Sequence, residues 1–440
     1  MLRPRAGARR MGAAMQSDPA GGAAYRRKLM GLLSVTTFFE GYDGYVFSFV
    51  LAQVLTTYGG SERTGGIIRA ITIAGTVAAF FLATQSDRIG RRRLLLITVT
   101  GYTVMTALTA AAPDLVWYTI AQFMAQVFLG AEWAAAVTMV VEEFPQDRRG
   151  RALGVLTSMG TFGGISVGLL GFAGFMGNPL GWRAFYLVGL IPLVVVAIAR
   201  RGLRETRRYE AAMNGANAAD LDCAGIFEPW RAEFRHNVLA VGLTHFFRYL
   251  AVSAGVAWWV YYAEKEAHMS VSLTGLYLAV AGVVGAVGFI IAGRLMDRFG
   301  RKPTFLGYVI LAGVLGTLLF RIHAPGPMLP LLCGTIFFGL GSGAATTAFA
   351  TECFPTYVRG RAATWCRNAF EIPGGIFGPL IVGFLGDHRH GAIGSIGGAA
   401  SLLFGLCTIP VILIAWKGIA ETRGLDLSTL DPVAAPVAAG

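Results

Sequence analysis

Three carboxylates interrupt stretches that are otherwise apolar. Glu40 and Asp43 fall within Phe38-Phe39-Glu40-Gly41-Tyr42-Asp43, and Glu132 falls within Gly130-Ala131-Glu132-Trp133. A charged side chain at the centre of a bilayer costs about 2.5–3.5 kcal/mol on insertion scales, so each one needs a reason to be there. Glu40 and Asp43 are three residues apart, which predicts one shared helical face. A carboxylate in a poorly hydrated cavity exchanges protons in a range set by its neighbours, so both are candidates for proton coupling. The structural alternative is a fixed ion pair holding helices together. Glu132 reads the same two ways, as a proton carrier or as the partner of a cavity arginine.

The cations in apolar stretches suggest the complementary chemistry. Arginine keeps its charge, and its planar fork matches a carboxylate with two parallel hydrogen bonds. Arg248, at mid-depth in its stretch, is therefore the first candidate to hold an anionic substrate group. Arg367 and Glu371 are four apart, so they either neutralise each other on one face or meet the substrate, with Asn368 beside them. His245, one turn before Arg248, reads as a packing histidine or a proton relay. Tyr42 and Tyr249 each neighbour a mid-span charge and are candidate cavity residues. Trp259 to Tyr262, at the outer end of their stretch, read as an interface belt. Arg69, near the outer end of another, is expected to snorkel or to form a gate pair.

These residues need long apolar helices to position them. Hydrophobic residues are 55% of the 440 and charged residues 14%, against roughly 25% charged in soluble proteins. A span needs about 20 mostly apolar residues. Twelve are predicted, near 29–56, 65–86, 94–112, 115–141, 151–175, 182–200, 237–263, 271–293, 304–322, 327–351, 362–386 and 393–417. The 59 glycines suit helices that approach closely. Pro373 and Pro379 are expected to bend the eleventh span.

The chain repeats itself. Ser86-Asp87-Arg88-Ile89-Gly90-Arg91 returns as Met296-Asp297-Arg298-Phe299-Gly300-Arg301, and Asp297 minus Asp87 is 210 residues. Glu142-Glu143-Phe144-Pro145 with Arg149 returns as Glu352-Cys353-Phe354-Pro355 with Arg359, and Pro355 minus Pro145 is again 210. Two equivalent six-helix halves follow: a tail over 1–28, a first half over 29–200, a polar linker over 201–236, a second half over 237–418 and a tail over 419–440. Trp230 and the alternating charges of the linker suggest a helix lying on the membrane surface. A duplicated polytopic membrane protein is most often a transporter.

The net charge of +12 lies mostly in alternate loops, at Arg26–Lys28, Arg91–Arg93, Arg148–Arg151, Arg200–Arg208, Arg298–Lys302 and Arg359–Arg361. That asymmetry places both termini in the cytoplasm and makes the basicity a matter of topology, not of nucleic-acid binding. The five cysteines are scattered without metal-ligand spacing, and neither a metal, a cofactor nor a nucleotide-binding loop is expected.

The repeated motifs resemble the major facilitator superfamily over about residues 29–424. Gly293, Leu295, Asp297, Arg298, Gly300, Arg301 and Lys302 meet its G-x-L-x-D-R-x-G-R-K pattern in full, and Ala420-Glu421-Thr422-Arg423-Gly424-Leu425 is similar to the end of its sugar-porter-like branch. The first and fourth spans resemble the F-F-E-W-Y-D and G-G-E-W/Y patterns of proton-coupled carboxylate and aromatic-acid symporters, with Gly41 for a Trp and Ala131 for a Gly. Ala257 stands where sugar porters carry an Asn, and the fifth span lacks the proline of drug exporters.

The resemblance implies an all-α protein of twelve transmembrane helices in two bundles. It also implies charge networks at Asp87, Arg88, Arg91, Glu142, Arg149, Asp297, Arg298, Arg301, Glu352 and Arg359 that clamp an inward gate, with Glu142 paired to Arg149 and Glu352 to Arg359. The expected function is import of a small carboxylate with protons, by a monomer in a bacterial inner membrane. A proton-coupled exporter, a sugar-type porter and a membrane sensor are the alternatives, and an enzyme is not expected.

Overall fold

The computed structural model describes residues 19–84, 89–191 and 227–423. Asp87 and Arg88 lie outside them, as do the side chain of Arg149 and most of the linker. The described residues form twelve helical stretches at the positions of the predicted spans. In chain order they are α1 (Pro19–Tyr58), α2 (Glu62–Thr84), α3 (Arg91–Ala110), α4 (Leu115–Glu143), α5 (Gln146–Phe172), α6 (Trp182–Val188) and α7 (Arg235–Tyr261). There follow α8 (Val271–Phe299), α9 (Arg301–Leu319), α10 (Pro325–Glu352), α11 and α12 (Ile396–Gly418). Ten of the described helices are long and apolar enough to cross a membrane, leaving out α1, which carries Glu40 and Asp43, and the short described part of α6.

Local chemistry sets the boundaries. Asp114, Ser270 and Ser395 accept from the backbone N–H groups of Trp117, Leu273 and Gly398, capping α4, α8 and α12. Gly90 and Gly300, 210 apart, have φ of 91° and 107°, a region open to glycine and strained for other residues. They turn the chain from α2 into α3 and from α8 into α9. Large apolar side chains such as Phe81, Ile290 and Leu413 face outward, as lipid contact requires.

Helix α11 is not the simple kinked helix its prolines suggest. It runs as Thr356–Trp365, widens into a π-turn over Cys366–Glu371 and resumes as Ile372–Gly386. Pro373 has no N–H to give to the preceding turn, and its ring crowds the carbonyl four residues back. A π-turn just before it relieves both problems.

The two sets of helices pack by the same scheme. In the first, α1 pairs with α5, α2 with α4 and α3 with α4; in the second, α7 pairs with α11, α8 with α10 and α9 with α10. The sets meet along two further seams, α2 with α11 and α5 with α8. Both seams close at the end away from the basic loops, and glycine permits it. A Cβ on Gly168 would lie 2.6 Å from the carbonyl oxygen of Gly275, and one on Gly383 would lie 3.0 Å from the Cα of Gly66. Backbone meets backbone there, with no side chain able to yield.

Overpacking such a contact costs about 1–3 kcal/mol. Gly168→Val is therefore expected to shift the balance toward separation of the sets at this end by about 5- to 150-fold. Spin-label distances between Leu180→Cys and Ala324→Cys, on opposite sets, measure it. An unchanged distance distribution would show that this seam does not hold the closed end.

Candidate functional site

A cavity of about 740 Å³ lies between the two sets. The first set lines it with Thr37, Glu40, Gly41 and Tyr45 of α1, Trp133 of α4, and Thr157, Thr161 and Ile165 of α5. The second contributes His245 of α7, Leu278 of α8, Ile336, Leu340 and Thr351 of α10, and Ala363, Arg367 and Glu371 of α11. Tyr45, Ile165 and Ile336 lie near mid-helix, whereas Thr351 and Ala363 lie close to the basic loops. The cavity therefore opens toward the basic face.

The face of α1 can be read directly. At 3.6 residues per turn each residue advances about 100°, so Thr37, Gly41 and Tyr45 share one stripe with Glu40 at its edge. Asp43 falls about 160° away from Gly41 on that wheel. The structure accordingly separates the two carboxylates expected on one face. Glu40 lines the cavity, while Asp43 is buried in the first set with Oδ1 lacking a hydrogen-bond partner. Asp43 interacts electrostatically with Arg69, whose guanidinium lies 4.8 Å from the ring of Phe47. Arg69 is half-buried with its Nε enclosed, and it is the counter-charge of Asp43 that sequence reasoning missed. The signal was its isolation, since a lone cation in an apolar helix needs an anion. Glu132, behind Trp133, is buried with Oε2 unpartnered.

Tyr42 does not line the cavity. It is buried, and its hydroxyl donates to the carbonyl of Phe185 at 2.8 Å. Tyr45, one turn on and on the correct stripe, takes the place expected for it. Tyr249 is likewise turned away, packing against Gly375 of α11.

The cations change places as well. Arg248 does not line the cavity; its side chain is 9% exposed and its Nη2 lies 3.6 Å from Oε1 of Glu371. The other oxygen of Glu371 lies 2.9 Å from Nδ1 of His245. Glu371 is thus held by two residues of α7 and not by Arg367. A π-turn makes i+5, not i+4, its hydrogen-bonded neighbour, so the expected Arg367–Glu371 pairing loses its register. Arg367 projects into the cavity with no ion pair within 4.0 Å among the described residues, in electrostatic range of Glu40. Asn368, on the same π-turn, is not among the lining residues.

At the basic face the repeat yields equivalent ion pairs. Nη2 of Arg91 lies 3.1 Å from Glu142, and Nε of Arg301 lies 3.1 Å from Glu352. Both residues of each pair are 210 positions from their counterparts (301 − 91 and 352 − 142). Arg301 also reaches Asp297 at 3.3 Å, while Arg298 lies over the ring of Phe299. Glu352 therefore pairs with Arg301 and not with Arg359, whose Nη2 donates to the carbonyl of Phe354. These pairs join α3 to α4 and α9 to α10, each within one set. For Glu352, helix ends brought together by packing displaced a partner that was merely close in sequence.

The sequence pattern of the Major Facilitator Superfamily matches residues 33–379. A putative niacin/nicotinamide transporter, NiaP, of Bacillus subtilis is 25% identical over 394 residues, covering 88% of this chain and 94% of its own. A gallate transporter of Pseudomonas putida is 24% identical over 424 residues, covering 89% and 91%. The fold is also that of the inward-open xylose transporter XylE from E. coli, with a TM-score of 0.71 at 19% identity, covering 91% of this chain and 98% of the other.

The end opposite the basic loops is sealed by the residues expected to form an interface belt. Trp259, Tyr261 and Tyr262 are all under 9% exposed, because the chain beyond α7 turns in over the bundle as a π-turn, Tyr262–Glu266. The exposed tryptophans at helix ends are instead Trp117 and Trp416. Polar contacts across the sets complete the seal. The hydroxyl of Tyr261 donates to Glu62 at 2.6 Å, Gln53 donates to Glu264 at 2.7 Å and Lys265 to Thr56 at 3.2 Å. His388 lies 3.0 Å from Glu62 and 3.8 Å from Glu266.

Its neighbour Asp387 anchors this loop. Burial works against its charge, but backbone N–H groups of His390 and Arg389 outweigh it, with smaller help from Ser61 and Arg63, and hold the carboxyl down at about 2. A depressed carboxyl stabilises above its unfolded value, near 4, and loses that contribution only as pH falls toward 2. The 387–394 loop should therefore keep its hydrogen-exchange protection between pH 5 and 8, whereas Asp387→Asn should lose about tenfold, a charge-assisted bond being worth about 1.5–3 kcal/mol. Protection that fades across that pH range in the native protein would contradict this assignment.

Proposed function

The chain belongs to the Major Facilitator Superfamily, and from that premise we propose that it imports a small organic anion, an aromatic or short aliphatic carboxylate, together with protons by alternating access. It is a transporter and not an enzyme. One observation carries the reading of an anion: Arg367 is a cavity cation without an ion pair among the described residues, in a chamber of about 740 Å³ shared by both sets. That volume lies within the range of about 300–1,000 Å³ usual for small-molecule sites. The relatives that carry niacin and gallate support an acidic substrate.

The basic face is assigned to the cytoplasm by the positive-inside asymmetry, which makes this arrangement inward-open. Glu40, Asp43 and Glu132 are the proposed proton carriers. They are carboxylates inside the bundle, and Asp43 and Glu132 each keep an oxygen without a partner, the kind of orphaned buried atom that calls for a function. Glu40 faces the charge of Arg367, so a proton on Glu40 leaves that arginine to the substrate. Each proton entering down a membrane potential of 100 mV supplies about 2.3 kcal/mol.

In proteoliposomes, acidifying the outside should accelerate uptake of labelled nicotinate or gallate. Glu40→Gln with Asp43→Asn should abolish the pH-driven accumulation. Net loss of acid from loaded vesicles under the same gradient would indicate export instead. Arg367→Gln should raise the KM about 10- to 150-fold, the worth of a charge-assisted bond of about 1.5–3 kcal/mol. An unchanged KM would remove Arg367 from the substrate site.

A further inference from the structure

The two ring nitrogens of His245 each face an acceptor. Nε2 lies 3.1 Å from the carbonyl oxygen of Thr346 on α10, and Nδ1 lies 2.9 Å from Oε2 of Glu371 on the π-turn of α11. A carbonyl oxygen only accepts, so Nε2 carries hydrogen. The contact at Nδ1 then also needs a proton, on the ring or on the carboxyl; otherwise two lone pairs face each other at hydrogen-bond distance. The couple thus holds one proton more than a neutral imidazole beside a carboxylate.

Its surroundings make that proton consequential. Both residues line the cavity that opens to the basic face, so water can reach them. The charged and titratable groups that face them are Arg248 and Tyr249 of α7 and Cys366 and Arg367 of α11, and Glu40 of α1 lines the same cavity. From α10 comes the carbonyl of Thr346. Without its proton the couple sets a full carboxylate charge beside the place of an anion held at Arg367. With it, the wall presents Arg367 beside a couple of no net charge, with Arg248 behind that couple.

We propose that His245 and Glu371 form a second proton-binding site, on the wall opposite Glu40, which keeps its proton while an anion is bound at Arg367 and releases it to the basic face once the anion has left. This rests on the proton-coupled import proposed above. Linkage makes the effect mutual: the proton favours the anion as strongly as the anion favours the proton. A packing histidine would hold its proton through the whole cycle.

Solid-state NMR of liposome-embedded protein labelled with 15N-histidine and 13C-glutamate tests the proton count; His388 also lies against glutamate carboxyls, so His245 is identified as the histidine–carboxyl contact that remains in His388→Gln. The expected spectrum at neutral pH shows Nε2 protonated and a proton within the Nδ1–carboxyl contact. Pyranine-reported proton entry per nicotinate should fall by about one in both His245→Gln and Glu371→Gln, each coupled site carrying one proton. A bare Nδ1 against an ionised carboxyl, or an undiminished proton count in both variants, would overturn the proposal while wild-type coupling stood. Nicotinate entering wild-type vesicles with no protons at all would overturn the coupling itself, and this site with it.

Discussion

The carboxylate of Glu371 is the interaction on which the rest of the chamber depends. Shared between His245 and Arg248, it ties the π-turn of α11 to α7, and through His245 to the backbone of α10. A buried ion pair contributes little net stability, because the charges give up water to form it, yet breaking one is costly. Its value here lies in allocation. By occupying Arg248 it leaves Arg367 as the cavity cation without an ion pair among the described residues, and on the proposal above its contact with His245 holds a proton in the same wall.

That allocation follows from helix geometry. A regular α-helix through residues 366–371 would place Arg367 and Glu371 one above the other, free to cancel. Pro373 disfavours that register, and the wider turn sends the two side chains to different neighbours. One imino acid thus turns a self-neutralised pair into an anchored acid and an available base. The same helix also carries Gly383, where the second set meets the first. A change of register near Arg367 and a change in the seam therefore act along one rigid element.

How much of this was legible can be judged residue by residue. The twelve spans were, because about 20 apolar residues in a row have few other uses, and so was the 210-residue repeat. The repeat even contains the ion pairs Arg91–Glu142 and Arg301–Glu352, but their partners are 51 residues apart (142 − 91 and 352 − 301). Reasoning from neighbours in sequence pointed to Arg359 for Glu352 instead, while the pairing of Glu142 with Arg149 lies outside the described residues. On α1 the charges were plain, but the i, i+3 rule says only that Glu40 and Asp43 are neighbours; which neighbour faces the chamber depends on the stripe Thr37, Gly41 and Tyr45. Choosing Arg248 over Arg367 failed for a different reason. Depth in the span was read correctly, whereas pairing depends on a π-turn, and a proline signals a disturbance without stating its form. The burial of Trp259 to Tyr262 needed neighbouring helices and the turn beyond α7, which no single helix encodes.

A carrier must be able to leave each of its states, and the closed end is built accordingly. Its seams are glycine backbones in contact, which gain close packing but bury no large apolar side chain at the point of touch. Its polar links, from Tyr261, Gln53 and Lys265, are single hydrogen bonds with an ionisable partner, each worth about 1.5–3 kcal/mol. The large aromatic side chains behind them, such as Trp258 and Tyr262, are bonded to their own set, at Pro379 and Ile322. Large aromatic contacts thus lie within each set, and separate polar links join the two sets. A ligand can shift such a balance only by its difference in affinity for the two states, and a tenfold shift needs only about 1.4 kcal/mol. On the function proposed above, an anion bonding Arg367, together with protons that quiet the carboxylates around it, would command a difference of that size.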